Sequence, residues 1–266
     1  MPLNRAVRFD RHQLVLPFKY PCKTGENNHT YGLKMTLSEI EQQYGFTYPA
    51  LYSQLAGDGM LDVGEYGPDW NEQVFPTLKD RPTLLLHADD FELLSVKAVA
   101  EELDELHNAD GERQIDPAFT FIPFAKTCAG DHYCFFANGQ PMEDMPVVLL
   151  WHDQDEVNYL AVNLQDFIVR TLLDSMADQD RYNDVSDEEF RDNLEKTLGT
   201  HLRYLTQKQS TVLQALLARD IIDYQVALPK GRTETHRGLL TDLELRTARD
   251  ELTAPTSADF DCTSAA

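Results

Sequence analysis

The chain has 266 residues, of which 42% are hydrophobic and 26% are charged, so it holds enough apolar material for a core of its own. Asp and Glu number 45 against 23 Lys and Arg, which gives a formal net charge of −22. This balance argues against direct nucleic-acid binding, because phosphate contacts need basic side chains. It favours either simple solubility or attraction to a basic protein partner.

The sequence predicts a cytoplasmic protein that makes no membrane contact. Residues 1–19 mix charged with apolar side chains and lack the apolar run of a signal peptide. No stretch is apolar over the length that a bilayer requires. The cysteines are few and irregularly spaced, which is typical of a reducing compartment. They are Cys22, Cys128, Cys134 and Cys262.

Two short helices are predicted near the start of the chain. Thr36 and Glu39 have the spacing of a capping box, and Gly45 provides a stop. Pro49 suits the first turn of a second helix. Residues 57–76 then form a predicted loop that is rich in glycine, acidic and aromatic residues.

This acidic loop is the first candidate site. Residues 58–72 contain five carboxylates and no basic residue. Such a segment is either an ordinary exposed loop or a binding surface, because exposed aromatic anchors with a charged rim are typical of protein interfaces. The second interpretation requires both aromatic rings to be exposed. Its binding residues are Asp58, Asp62, Glu65, Tyr66, Asp69, Trp70 and Glu72.

The middle of the chain predicts a helix followed by an antiparallel meander. The helix covers residues 96–106, with apolar residues on one face. Four short segments, rich in β-branched and aromatic residues and separated by turn signals, then read as strands. They cover residues 119–125, 132–137, 146–152 and 156–163. Asn163 next caps a helix whose apolar stripe is expected to pack back onto the sheet.

Beyond residue 177 the chain predicts a helical extension. Ser186 caps a helix that stops at Gly199, and a longer helix follows over 201–218. Residues 221–228 read as a lone strand and 239–251 as a last helix. We expect residues 253–266 to be disordered.

No constellation of residues predicts catalysis, a metal or a cofactor. Cys128, His132 and Cys134 lie close together, but no C-x-x-C pair or second ligand pair accompanies them. The chain has no G-x-S-x-G or H-E-x-x-H motif. The glycines of the acidic loop are surrounded by carboxylates, which would repel a phosphate. We therefore expect a protein that is not an enzyme.

Three segments resemble the SUKH superfamily, whose best-known branch is the Smi/Knr type. They are "LSEIEQQYGFTYPALYSQLAGDG", "FIPFAKTCAGDHYCFFAN" and "PVVLLWHDQDEVNYLAVNLQDFIVRTL". The first is similar to the opening helix pair of the family, the second to its hairpin with a "GD" turn, and the third to its strand, acidic turn and closing helix. The resemblance covers residues 36–177.

The resemblance implies an α+β fold with a curved, mainly antiparallel sheet flanked by helices. We expect a SUKH-like domain over 1–177, a helical extension over 178–252 packed on or beside it, and the tail after it. The implied function is an immunity protein that neutralises a cognate toxin, often a nuclease, in bacterial competition. The binding residues of this immunity protein would be those of the acidic loop together with Asp153, Asp155 and Glu156. The alternative is a non-catalytic scaffold that dimerises or recruits partners through the extension.

Overall fold

The computed structural model describes residues 35–64, 66–106, 115–139, 144–179, 185–253 and 258–263. Its α-helices are α1 (Leu37–Tyr44), α2 (Ala50–Gly57), α3 (Trp70–Gln73), α4 (Phe75–Leu78), α5 (Val96–Leu106), α6 (Leu164–Ala177), α7 (Asp187–His201), α8 (Gln207–Leu217) and α9 (Asp242–Leu252). Its strands are β1 (Glu92–Leu93), β2 (Thr120–Lys126), β3 (His132–Ala137), β4 (Val147–Leu150), β5 (Glu156–Ala161), β6 (Ile222–Leu228), β7 (Arg232–Gly238) and β8 (Phe260–Asp261). Cys22 lies outside the described residues.

The first helix begins and ends where the sequence predicts. The Thr36 hydroxyl accepts a hydrogen bond from the Glu39 backbone N–H at 3.3 Å, and the Thr36 N–H donates to the Glu39 carboxylate at 2.7 Å. Gly45 ends α1 with φ +75°, a left-handed conformation that glycine adopts without steric cost. The capping box and the stop are confirmed.

One sheet runs in the order β1-β2-β3-β4-β5-β8, and every pairing within it is antiparallel. Alternate residues of the strands point to opposite faces. Phe124 and Phe135 stack at 4.6 Å on the face that α6 covers, whereas Phe121 and Phe136 belong to a second apolar cluster. The α+β class, with an open antiparallel sheet flanked by helices, is confirmed.

The end of the chain corrects one expectation. Phe260 and Asp261 form β8, which pairs with the beginning of β5. Phe260 packs on Phe136 with ring centroids 4.9 Å apart, and Cys262, two residues later, is fully buried in the same cluster. The expectation of disorder is wrong for residues 258–263, because two apolar side chains at strand spacing complete the second face of the sheet.

The region after residue 185 corrects another. The expected lone strand, β6, pairs along its whole length with β7 to form a two-stranded hairpin. The strand β7 has the sequence RTETHRG, in which no alternation of apolar and polar residues predicts a strand. The apolar residues of α7, α8 and α9 belong to the same core cluster as those of α6. The division into domains at residue 177 stays a prediction.

Candidate functional site

The acidic loop is built around its own aromatic rings. Trp70 is only 8% exposed, and its indole N–H donates to the Val63 carbonyl at 2.8 Å. Tyr66 is half-buried against Trp70 with centroids 5.0 Å apart, and Phe75 packs on the other side at 5.8 Å. The expectation that both rings are exposed is wrong for Trp70, because the rings stabilise the loop by stacking on one another.

The carboxylates of the same loop divide into two kinds. Asp62, Asp69 and Glu72 are exposed, and Asp69 accepts a hydrogen bond from its neighbour Gln73 at 3.3 Å. Asp58 instead pairs with Arg203 at 2.6 Å and accepts a hydrogen bond from the Tyr204 hydroxyl at 2.8 Å. Glu65 lies outside the described residues. The structure therefore leaves three of the expected carboxylates facing outward.

The second group of expected residues forms the turn between β4 and β5. Asp153, Asp155 and Glu156 are all exposed. The Asp155 carbonyl accepts from the Cys262 N–H at 2.6 Å, and the Glu156 carboxylate accepts from the Asn158 amide at 2.8 Å. The pairings of β5 with β4 and β8 therefore hold the backbone of this turn on both sides.

The strand register brings further acidic residues to this turn. The strand register pairs Glu92 with Lys126, Lys126 with His132, His132 with Leu150, and Leu150 with Val157. One end of each of the strands β1 to β5 therefore lies at the same edge of the sheet. The turns before β1, between β2 and β3, and between β4 and β5 are therefore neighbours.

Two further aspartates, Asp90 and Asp131, join the group at this edge. The Asp90 carboxylate accepts from the Cys128 N–H at 2.7 Å, and the buried Asp131 accepts from the His152 N–H at 3.0 Å. The His152 Nδ1 atom also lies 2.7 Å from the Asp131 carboxylate. We call this group, Asp90, Asp131, Asp153, Asp155 and Glu156, the acidic sheet end. Sequence spacing alone could not place its members together, since they come from three separate turns.

The acidic loop flanks the same end of the sheet. The Glu92 carboxylate, at the start of β1, is close enough to Tyr66 for its charge to raise the pKa of that phenol, although burial is the larger cause. The turn between β4 and β5 is three to four strands away, or about 15–19 Å at the usual strand spacing. A span of this length lies within one ordinary protein interface, which takes about 800 Å² from each partner.

The residues considered for a metal are occupied in other contacts. Cys134 is fully buried, and the His132 Nε2 atom lies 2.8 Å from the Glu102 carboxylate. Within the described ranges, one group of three potential ligands appears at the acidic sheet end, where atoms of Asp131, His152 and Asp153 lie within 4.8 Å of one another. Two of these three already bind each other, and the third is exposed. That the protein takes no metal stays a prediction.

A surface groove of about 680 Å³ lies apart from both acidic groups. It runs between α2, the beginning of α6 and residues 203–206, and Arg203 and Asp144 are the charged side chains that line it. Arg203 is the residue that pairs with Asp58, so the groove borders the acidic loop at one point only. None of the ten expected binding residues lines it.

The chain belongs to the SMI1/KNR4 family (SUKH-1), whose family model matches residues 34–170. The matched region begins just before α1 and ends inside α6, so it contains the whole meander and all ten expected binding residues. The family is consistent with an immunity-protein role. Comparisons with curated proteins and with solved structures found no match. In the part of the chain that the structure describes, no helix has both the length and the apolar character needed to span a membrane.

Proposed function

We propose that this protein is an immunity protein that binds a cognate bacterial toxin, a basic protein of the nuclease type, and neutralises it through an acidic surface. The protein acts in the cytoplasm without a catalytic step or a cofactor. The family supports this proposal, since SUKH proteins are generally non-catalytic immunity proteins.

The distribution of charge is the observation that carries the proposal. The family-matched region, 34–170, contains 25 Asp and Glu against 7 Lys and Arg, whereas the rest of the chain contains 20 against 16. The matched region therefore has a net charge of −18, out of −22 for the whole chain. Solubility alone does not require that the charge be concentrated in one region. A surface that attracts a basic partner requires such a concentration.

The exposed carboxylates act mainly by accelerating the encounter. Asp62, Asp69 and Glu72 in the loop, with the turn residues Asp153 and Glu156, would each pair with Lys or Arg of the toxin. Single exposed ion pairs contribute little affinity, but a field of one sign raises association rates by about 10- to 1,000-fold at low salt. Fast capture matters for an inhibitor of a toxic enzyme.

Two residues of the expected site, Trp70 and Asp58, contribute less to toxin binding than the exposed carboxylates do. Trp70 keeps the loop in shape instead of entering the toxin as an anchor, because its ring is buried. Asp58 contributes less than its neighbours, because Arg203 already neutralises it. Glu65, Tyr66 and Asp155 remain part of the proposed surface.

The test reverses three charges at a time. One variant carries Asp62→Lys, Asp69→Lys and Glu72→Lys, and a second carries Asp153→Lys, Asp155→Lys and Glu156→Lys. The control carries Glu195→Lys, Asp250→Lys and Glu251→Lys, which are exposed residues of α7 and α9 outside the matched region. All three variants change the net charge equally. The candidate toxin is the product of the neighbouring gene. It is used as the toxin if its expression is toxic and co-expression of this protein restores growth.

We expect the first two variants to slow association with the toxin by about tenfold or more at low salt, with the difference shrinking as salt rises. The control should differ from the wild type by less than about threefold. Equal losses in all three variants would reduce the effect to net charge and contradict the assigned surface. Full protection by both site variants would contradict it as well.

A scaffold that assembles through the region after residue 177 is the second candidate. One observation favours it, namely a hairpin in that region that packs on neither core cluster along its outer half. Removal of the region is not a clean test, because α7, α8 and α9 share the core of α6. Substitutions in the hairpin itself are required.

A further inference from the structure

The hairpin β6–β7, residues 222–238, is firmly fixed at its base. The Tyr224 hydroxyl donates to the Ala177 carbonyl at 2.6 Å, and His236 Nδ1 lies 3.0 Å from the Asp178 carboxylate. Arg237 pairs with Asp187 at 2.6 Å. We call residues 222–238 the arm. Because its base is pinned by these contacts, the arm has a defined direction relative to the rest of the protein.

One face of β6 is apolar, and its outer half packs on neither core cluster of the described residues. Ile222, Tyr224, Val226 and Leu228 alternate with polar or small residues, so they share one face of β6. Ile222 is 40% exposed, and Val226 and Leu228 are half-buried. Neither Val226 nor Leu228 packs on either core cluster of the described residues. Two-stranded hairpins are only marginally stable alone, so an apolar face of this kind is expected to have a partner.

The charge of the arm indicates which partner fits. The arm carries three Lys and Arg against two Asp and Glu, a net charge of +1 in a chain of −22. A strongly basic protein is attracted to the carboxylates elsewhere in the chain, and not to this element. Two copies of the chain repel each other through their excess of carboxylates, and the arm, with its net charge of +1, adds nothing to that repulsion.

The apolar face is also complementary to itself. The strand register sets Leu228 beside Arg232 and Val226 beside Glu234, so the face carries one cation and one anion next to its apolar stripe. Two copies related by a two-fold axis present the same face to each other. In that arrangement the apolar stripes of the two copies meet.

We propose that the arm is a homodimerisation surface, through which two copies of this chain pack the apolar faces of their β6–β7 hairpins against each other. The proposal does not depend on toxin binding. A seven-residue strand is about 24 Å long and a two-stranded ribbon about 10 Å wide, so the contact buries only some hundreds of Å². Stable dimers bury about 1,200–2,000 Å² in total, so this dimer is weak and forms at high local concentration.

The test is sedimentation velocity of the full chain between about 10 μM and 1 mM, the range in which a weak dimer would form. We expect the mean mass to rise with concentration from the monomer value of 30.3 kDa toward twice that value. Added salt should strengthen the dimer, because it screens the repulsion between two acidic bodies while the apolar contact persists.

Two double variants on opposite faces of β6 distinguish the arm from other contacts. Val226→Glu with Leu228→Glu places two charges on the apolar face, whereas Gln225→Glu with Ala227→Glu adds the same charges to the other face. The first should weaken the dimer at least about tenfold, and the second should leave it within about threefold of the wild type. Val226→Thr with Leu228→Thr keeps strand propensity, adds no charge and should weaken the dimer like the first variant.

A wild type that stays monomeric over the whole range would overturn the proposal. So would equal loss from both faces, or a dimer that survives in the Val226→Glu, Leu228→Glu variant. If the wild type is monomeric and the Val226→Glu, Leu228→Glu variant no longer binds the toxin, the partner of the arm is the toxin and the homodimer is refuted. A failure of toxin rescue alone would bear on the proposed function and not on the arm.

Discussion

Glu92, the first residue of β1, is a carboxylate buried beside the acidic loop. Glu92 is only 7% exposed, and neither oxygen of its carboxylate has a hydrogen-bond partner among the described residues. Its register partner Lys126 lies across the strand pair but points its ammonium toward Glu102 at 3.8 Å. Burial raises the pKa of Glu92, and the charge of Lys126 opposes that rise.

The sign of the resulting pH dependence follows from the direction of this shift. The folded state holds the Glu92 proton more tightly than the unfolded state does, so the stabilisation is complete below the ordinary pKa of a glutamate. It is lost as the pH rises through the raised pKa of the folded state. A buried polar group without a hydrogen bond costs about 1–3 kcal/mol, so we expect a loss of that order at pH 8.

The substitution Glu92→Gln removes the charge while keeping the shape of the side chain. We expect the variant to be more stable than the wild type by about 1–3 kcal/mol at pH 8, with the difference vanishing near pH 4. Urea unfolding followed by circular dichroism at several pH values measures this difference. Glu105→Gln, at an exposed position of α5, is the control and should change stability by less than about 0.5 kcal/mol. A Glu92→Gln protein that is less stable at every pH would refute the reasoning, since it would mean that the carboxylate is stabilised by its surroundings.

Two further predictions concern contacts between distant parts of the chain. His201 is fully buried, accepts a hydrogen bond from the Leu85 N–H at 3.0 Å, and has a pKa lowered by burial to about 4. Because the folded state favours the neutral ring, stability should fall by up to about 3 kcal/mol between pH 6.5 and 4, and urea unfolding should show that His201→Gln lacks this component. In Gly238→Ala the added Cβ would lie 2.2 Å from the Ala177 carbonyl oxygen, so we expect a loss of about 3 kcal/mol or more, measured by the same unfolding experiment. Gly199→Ala, in the helix α7 with no atom within 4 Å of the new Cβ, should instead be neutral or stabilising by up to about 1 kcal/mol.

Local signals in the sequence were sufficient where a few neighbouring residues determine the structure. The capping box at Thr36, the cap at Asn163 and the cap at Ser186 each begin a helix as expected. The prediction of one helix over 201–218 is wrong at its start, because the chain makes a 3-10 turn and a capping box of Thr206 with Gln209 then begins α8.

The remaining differences arise from contacts that sequence spacing does not encode. Nothing in the composition of the acidic loop shows that Trp70 turns inward, because the decisive contacts are with Val63, Tyr66 and Phe75. The strand β7 is polar and becomes a strand through its ladder with β6. The members of the acidic sheet end come together through strand register, which a one-residue slip would have changed entirely.

The distribution of cations explains why the acidic surface remains available. After residue 185, several basic side chains are bound to carboxylates: Arg237 to Asp187 and Asp223, Lys196 to Asp80 and Asp192, and Arg219 to Glu244. Most of these pairs neutralise carboxylates of the same region, so few cations are left for the matched region. Among the described residues, Arg203 reaches back to Asp58 and Lys196 to Asp80, both in the matched region.

The chain thus separates two kinds of surface. The matched region has a net charge of −18, which Arg203 and Lys196 offset at two carboxylates, and this charge favours a basic partner and repels a second copy. The arm is nearly neutral and apolar on one face, which favours a second copy and offers little to a basic protein. Because opposite physical properties select the two proposed partners, toxin capture at the sheet end and pairing through the arm need not compete for the same residues.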